Sequence, residues 1–138
     1  MAILVSACLL GIKCRYDGES KEYPAVLELL NKETLIPVCP EQLGGRPTPR
    51  IPVEMLNGRV VEENGCDRTE EFVRGAEETL RIAKMYGCKK AILKAKSPSC
   101  GFGKIYDGSF SRTLTEGNGI AAQMLADNGI EIVNENEI

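Results

Sequence analysis

Three short apolar runs in this chain each lead into a cysteine, and no other feature constrains the fold as much. Residues 2–7, 34–38 and 89–94 have the composition of buried strands, and they run into Cys8, Cys39 and Cys100. After the third run, Ser97-Pro98-Ser99-Cys100-Gly101 cannot continue regular structure. Pro98 lacks an amide donor and restricts Ser97, while Gly101 and Gly103 permit positive φ. A thiol, two hydroxyls and free backbone N–H groups therefore gather past a strand's C-terminal end. In open α/β sheets, that edge is where ligands bind.

The remaining segments supply the helices of such a sheet. Residues 24–31 read as a helix with Pro24 in its first turn, and Val26, Leu27, Leu29 and Leu30 face the sheet. Residues 39–52 hold four prolines and the Gly44-Gly45 pair, so a long helix or a central strand is excluded there. A loop of that length beside a cysteine and a carboxylate reads as functional. Asn57-Gly58 marks a small hairpin within residues 56–62.

The clearest helix spans residues 67–86. Asp67 and Glu70 form a capping box, Phe72, Ala76, Leu80, Ala83 and Met85 form an apolar stripe, and Gly87 is placed to end it. Residues 105–110 read as a turn between short extended pieces. The last helix starts at Glu116 or Gly117 and runs to Asn128, and residues 130–133 form the last strand. This β-α-β-loop-α-β-α-β order predicts one α/β domain over residues 1–138, three layers deep, around a mainly parallel sheet of about four to five strands.

Composition then limits the chemistry. The chain has six cysteines and no histidine in 138 residues. Imidazole bases and imidazole-bearing zinc sites are excluded, so any activity rests on Cys, Ser, Asp, Glu, Lys, Arg or a cofactor. A net charge of −3 gives no basic footprint for nucleic acid. No run reaches the roughly 20 apolar residues of a membrane span. The first residues lack the basic start of a secretory signal, so a cytoplasmic location and reduced thiols are expected.

If the three cysteine-ending strands are parallel neighbours, Cys8, Cys39 and Cys100 meet at one sheet edge. Three thiolates without histidine suit an iron–sulfur cluster better than structural zinc, which wants a closed set of four ligands. Cys14 could close the set and make the site structural or electron-transferring. With three ligands, one iron stays open to bind substrate. A cluster-free sulfur carrier using Cys100 and a structural zinc module are the other readings. Cys66 and Cys88 read as ordinary thiols. Arg15, Asp17, Arg46 and Arg50 are loop charges that orient substrate or pair with each other. Gly44-Gly45 lacks the lysine and hydroxyl of a phosphate-binding loop.

Five ordered motifs carry a resemblance that covers essentially the whole chain. They are Ser6-Ala7-Cys8-Leu9-Leu10-Gly11 with Arg15-Tyr16-Asp17-Gly18, then Val38-Cys39-Pro40-Glu41, then Gly44-Gly45-Arg46-Pro47-Thr48-Pro49-Arg50. The fourth runs from Leu93 to Gly101, and the fifth is Ile105-Tyr106-Asp107-Gly108. Together they resemble the small bacterial and archaeal family, once classed only as a domain of unknown function, that includes thiouracil desulfidase. The resemblance implies a Rossmann-like fold with an oxygen-sensitive 4Fe-4S cluster on Cys8, Cys39 and Cys100, and leaves Cys14 outside the ligand set. It also implies a small thiolated base as substrate, hydrolytic release of hydrogen sulfide, and acid–base roles for Glu41 and Ser97. Arg68 stands where an apolar residue is more usual. The chemistry is consistent with this reading, because a thiocarbonyl is a soft ligand suited to a thiolate-bound iron. Attack by water at the ring carbon needs a base, and Glu41, two residues beyond a ligand, can reach that space.

Overall fold

The computed structural model describes residues 1–138. Strand β1 (Ala2–Ser6) enters a 3-10 turn, Ala7–Leu10, and a long loop leads to helix α1 (Pro24–Glu28). A second 3-10 turn, Leu29–Asn31, precedes β2 (Thr34–Val38) and the one-turn helix α2 (Pro40–Leu43). The hairpin β3 (Val53–Leu56) and β4 (Arg59–Glu62) follows, then the long helix α3 (Thr69–Met85) and β5 (Lys90–Leu93). Strands β6 (Lys104–Tyr106) and β7 (Leu114–Glu116) lead to α4 (Ile120–Asp127), β8 (Glu131–Asn134) and the 3-10 turn Glu135–Glu137.

The central sheet has four strands in the order β2-β1-β5-β8, and every pair is parallel. The chain moves outward from β1 to β2, then returns past β1 to β5. The order therefore reverses between β1 and β5, which opens a crevice at their C-terminal ends. Side-chain alternation divides the core between the two faces. Leu4, Ala91 and Leu93 join Ala83 of α3 and Ala122 and Leu125 of α4 in one cluster. Ile3, Val5 and Ile92 join Val26 of α1 in the other. Full burial of each large aliphatic side chain contributes about 1.5–3 kcal/mol, so this two-sided core fixes strand order and register.

Several local expectations are corrected. The 24–31 helix is α-helical only to Glu28 and then tightens, with Val26 buried and Leu30 53% exposed. Helix α3 begins at Thr69 rather than at 67, and no side chain caps it. Asp67 instead accepts from the Thr69 amide at 2.8 Å and from Arg59 Nε at 2.8 Å, so it closes a turn just before the helix. Met85 lies off the buried stripe, 69% exposed. Glu116 belongs to β7, which pairs antiparallel with β6, and α4 starts only at Ile120. The Asn57-Gly58 hairpin forms as expected, with both residues at positive φ.

Two contacts position the functional loops. A Cβ on Gly44 would strike Glu71 O, and one on Gly75 would strike Pro40 O, so α2 lies directly against the backbone of α3. The start of α4 holds the third cysteine loop. Its amides donate to loop carbonyls through Gly119 N to Gly101 O (2.7 Å), Ile120 N to Pro98 O (2.9 Å) and Ala122 N to Ser99 O (3.0 Å).

Candidate active site

The crevice between β1 and β5 opens into a cavity of about 570 Å³, and Cys8, Cys39, Cys100, Glu41 and Ser97 all line it. Each arrives on a separate piece of backbone. Cys8 sits in the 3-10 turn after β1, Cys39 immediately precedes α2, and Cys100 follows the turn after β5. The fourth thiol weighed from the sequence lies here too. Cys14 is buried in the same wall, within hydrogen-bonding reach of the Cys8 and Cys39 thiols, and Cys39 Sγ lies 3.6 Å from the Cys14 carbonyl. Cys88 instead fills the α3/α4 side of the core, and Cys66 does not line the cavity.

The environment of these thiols bears on what they can hold. Burial pushes the Cys100 thiol up to about 12, reinforced by the nearby Cys39 and opposed by Ser6. Cys14 stands at about 11: contact with Cys39 pulls it down, but contact with Cys8 and burial outweigh that. Cys39 is raised by its Cys14 neighbour and then by burial. Thiols crowded in this way keep their protons unless positive charge is placed among them. No three Cys, Asp or Glu side chains converge tightly enough to hold a single ion. An all-sulfur donor set lining one cavity of about 570 Å³ suits a multi-iron sulfide core, whose ligands are cysteine thiolates.

Glu41 is held at both oxygens. Arg50 Nε donates to Oε1 at 3.0 Å, and Ser99 Oγ donates to Oε2 at 2.9 Å. Ser99 in turn lies 3.0 Å from Ser97 Oγ and 3.8 Å from Cys100 Sγ. Ser97 Oγ accepts from the amides of Ser99 and Cys100, each at 3.1 Å, so its own proton is left to donate to Ser99 or into the cavity. The hydroxyl that touches Glu41 is thus Ser99, which sequence reasoning passed over. Its signal was the alternation in Ser97-Pro98-Ser99, which sends two hydroxyls into one turn.

Of the loop charges, only Arg50 engages a site carboxylate. Arg15 pairs with Asp17 at 3.6 Å and Arg46 with Glu62 at 3.4 Å. The cavity wall carries more cations than carboxylates: Arg15, Arg50 and Lys94 are each paired, which leaves Lys21, Lys96 and Arg112 set against Glu54. Ser6, at the end of β1, accepts from the Lys94 amide at 2.9 Å and ties the two strand ends together. Buried Glu135 accepts from the Ala95 amide at 2.8 Å and from Lys94 Nζ at 3.1 Å. This fixes the backbone that leads to Ser97.

A doubly wound parallel sheet with four thiols at its switch point, beside a carboxylate clamped by Arg50 and Ser99, defines an α/β protein with an all-sulfur donor set in its crevice. The chain belongs to the 2-thiouracil desulfurase family, whose pattern matches residues 3–137. It is 40% identical to the uncharacterized protein YbbK of Bacillus subtilis (strain 168), over 99% of this chain and 97% of that one. The solved structure of the [4Fe-4S]-dependent thiouracil desulfidase TudS superposes with a TM-score of 0.94 at 42% identity, covering 99% of this chain and 92% of TudS. No helix is long and apolar enough to cross a membrane.

Proposed function

We propose that this protein is a desulfidase that removes sulfur from a small thiolated base such as 2-thiouracil, using a 4Fe-4S cluster held by Cys8, Cys39 and Cys100. The observation that carries this reading is the convergence of those thiols with Glu41 and Ser97 on one cavity wall. Likeness to TudS supports the cofactor. When bound, the cluster supplies a soft Lewis acid for the substrate sulfur. The net change is hydrolytic: the C=S compound and water give the C=O compound and hydrogen sulfide.

The chain's own residues do the rest. Glu41 orients a water toward the ring carbon and takes its proton at Oε2. Ser99 and Ser97 offer hydroxyl protons along the line from Glu41 into the cavity. The cationic wall favours the ring in its anionic form, which places more charge on sulfur. Six free cysteines suit a reducing compartment.

Anaerobic reconstitution tests the proposal. Brown protein with about four irons per chain should release sulfide from 2-thiouracil. Cys8→Ala, Cys39→Ala or Cys100→Ala should lose colour and activity, whereas Glu41→Ala should stay brown and lose at least about 100-fold in turnover. Full activity in colourless protein would refute the mechanism.

A second reading is favoured by one observation, the contact of Cys14 with Cys8 and Cys39. As a fourth ligand it would leave no iron open, and the protein would carry electrons instead. A Cys14→Ala protein that keeps its cluster and releases sulfide eliminates that reading. The sulfur-carrier reading is disfavoured because a thiol as buried as Cys100, 5% exposed, is a poor nucleophile.

A further inference from the structure

We propose that Arg50 is a positioning residue for this reaction: its buried guanidinium fixes the plane of the Glu41 carboxylate, so that one oxygen is held from behind and the other faces the reacting ring. The role rests on the desulfidase reading above, with Glu41 as the base.

The geometry singles out Arg50 among the cations of the wall. Its side chain is 3% exposed and that of Glu41 15%, so the pair is largely withdrawn from solvent. Every guanidinium nitrogen is engaged. Nε donates to Glu41 Oε1 at 3.0 Å and Nη2 to the Cys14 carbonyl at 2.9 Å, while Nη1 donates to Pro47 O at 3.1 Å and Thr48 Oγ1 at 3.0 Å. The Arg50 amide donates to Tyr16 O at 2.8 Å. The loop carrying Cys14, the Pro47-Thr48 turn and helix α2 are therefore joined through one planar group.

A carboxylate bound at only one oxygen can still rotate about its last bond. Here Ser99 Oγ holds Oε2 at 2.9 Å while Arg50 holds Oε1, and that rotation is lost. Lysine could supply the charge but not the rigid fork that reaches several acceptors at once. Arg46, in the same loop, cannot replace it, because it is committed to Glu62. A base misplaced by a fraction of an ångström loses much of its rate, so the effect should fall on the chemical step rather than on substrate binding.

The test uses anaerobically reconstituted full-length protein as Arg50→Lys, Arg50→Ala and Glu41→Gln. Both Arg50 variants should keep the iron content and visible spectrum of the unaltered protein. Their KM for 2-thiouracil should stay within about two-fold while kcat falls about 30- to 100-fold, less than the roughly 100- to 10,000-fold a general base supplies, because the base is displaced and not removed. Millimolar guanidinium should restore a measurable part of kcat in Arg50→Ala and none in Arg50→Ala/Glu41→Gln. Independently of activity, the Tm losses of Arg50→Ala and Glu41→Gln in the iron-free protein should not add in the double variant. If Arg50→Ala keeps kcat while Glu41→Gln loses it, the proposal fails and the desulfidase reading stands. Loss of iron from both Arg50 variants would also overturn it, by making the residue a support for the cysteine wall. Full turnover in Glu41→Gln would remove both this role and the base assignment.

Discussion

Asp67 shows how a single side chain is claimed by its tertiary surroundings. Bonds from the Thr69 amide and hydroxyl and from Arg59 lower its carboxyl to about 2, from an ordinary value of 3.8. A depressed acid stabilises the fold above its unfolded value and loses that contribution as pH falls through its folded one. Urea unfolding of Asp67→Asn should therefore show a deficit against the unaltered protein at pH 5 that closes between about pH 4 and pH 2. Both partners are substantially exposed, so the deficit should be modest and shrink with salt. The sequence announces Asp67 as a helix signal through its spacing to Glu70. It does not reveal that Arg59, eight residues earlier at the start of β4, competes for the same carboxylate. Arg50 was obscured in the same way, because its partner is set by the folding of an irregular loop and not by any periodicity. Cys8, Cys39 and Glu41 were legible because they stand within three residues of a strand's end, and Cys100 because its Ser-Pro-Ser turn follows one; strand ends are what a parallel sheet brings together.

At the level of elements, the approach of α2 to α3 is decisive for the site. An alanine inside a helix is ordinarily about 1 kcal/mol better than glycine. At position 75 the added carbon would meet Pro40 O, and overpacking of this kind costs about 1–3 kcal/mol. The steric effect wins, so Gly75→Ala should lower Tm. It should also reduce iron retention, because Pro40 lies between Cys39 and Glu41. A Gly75→Ala protein with raised Tm and full iron content would show that α2 is free to move aside. The hairpin and the sheet strands were read correctly because turn residues and apolar runs act locally. Strand β7, the partner of β6, escaped detection because Leu114, Thr115 and Glu116 are all exposed and leave no alternating pattern.

At the level of the whole molecule, a small four-stranded sheet must hold four thiols and a carboxylate in register with little core to spare. Leu4 is fully buried at its centre, beside Ala91 on the neighbouring strand. Leu4→Ala should cost about 2–5 kcal/mol, a large share of the roughly 5–15 kcal/mol that stabilises a typical domain. Chemical denaturation of the iron-free variant would measure it, and a loss below about 1 kcal/mol would place the core elsewhere.

The Glu135 link carries this dependence to the turn after β8. Its carboxylate binds the amide of Ala95, 40 residues earlier, and the neighbouring Lys94 ammonium. A growing polypeptide halted before residue 135 has already made every cysteine, yet lacks the latch that steadies the backbone ahead of Cys100. Any loosening of this late stretch is therefore passed through Ala95 to the cavity wall itself.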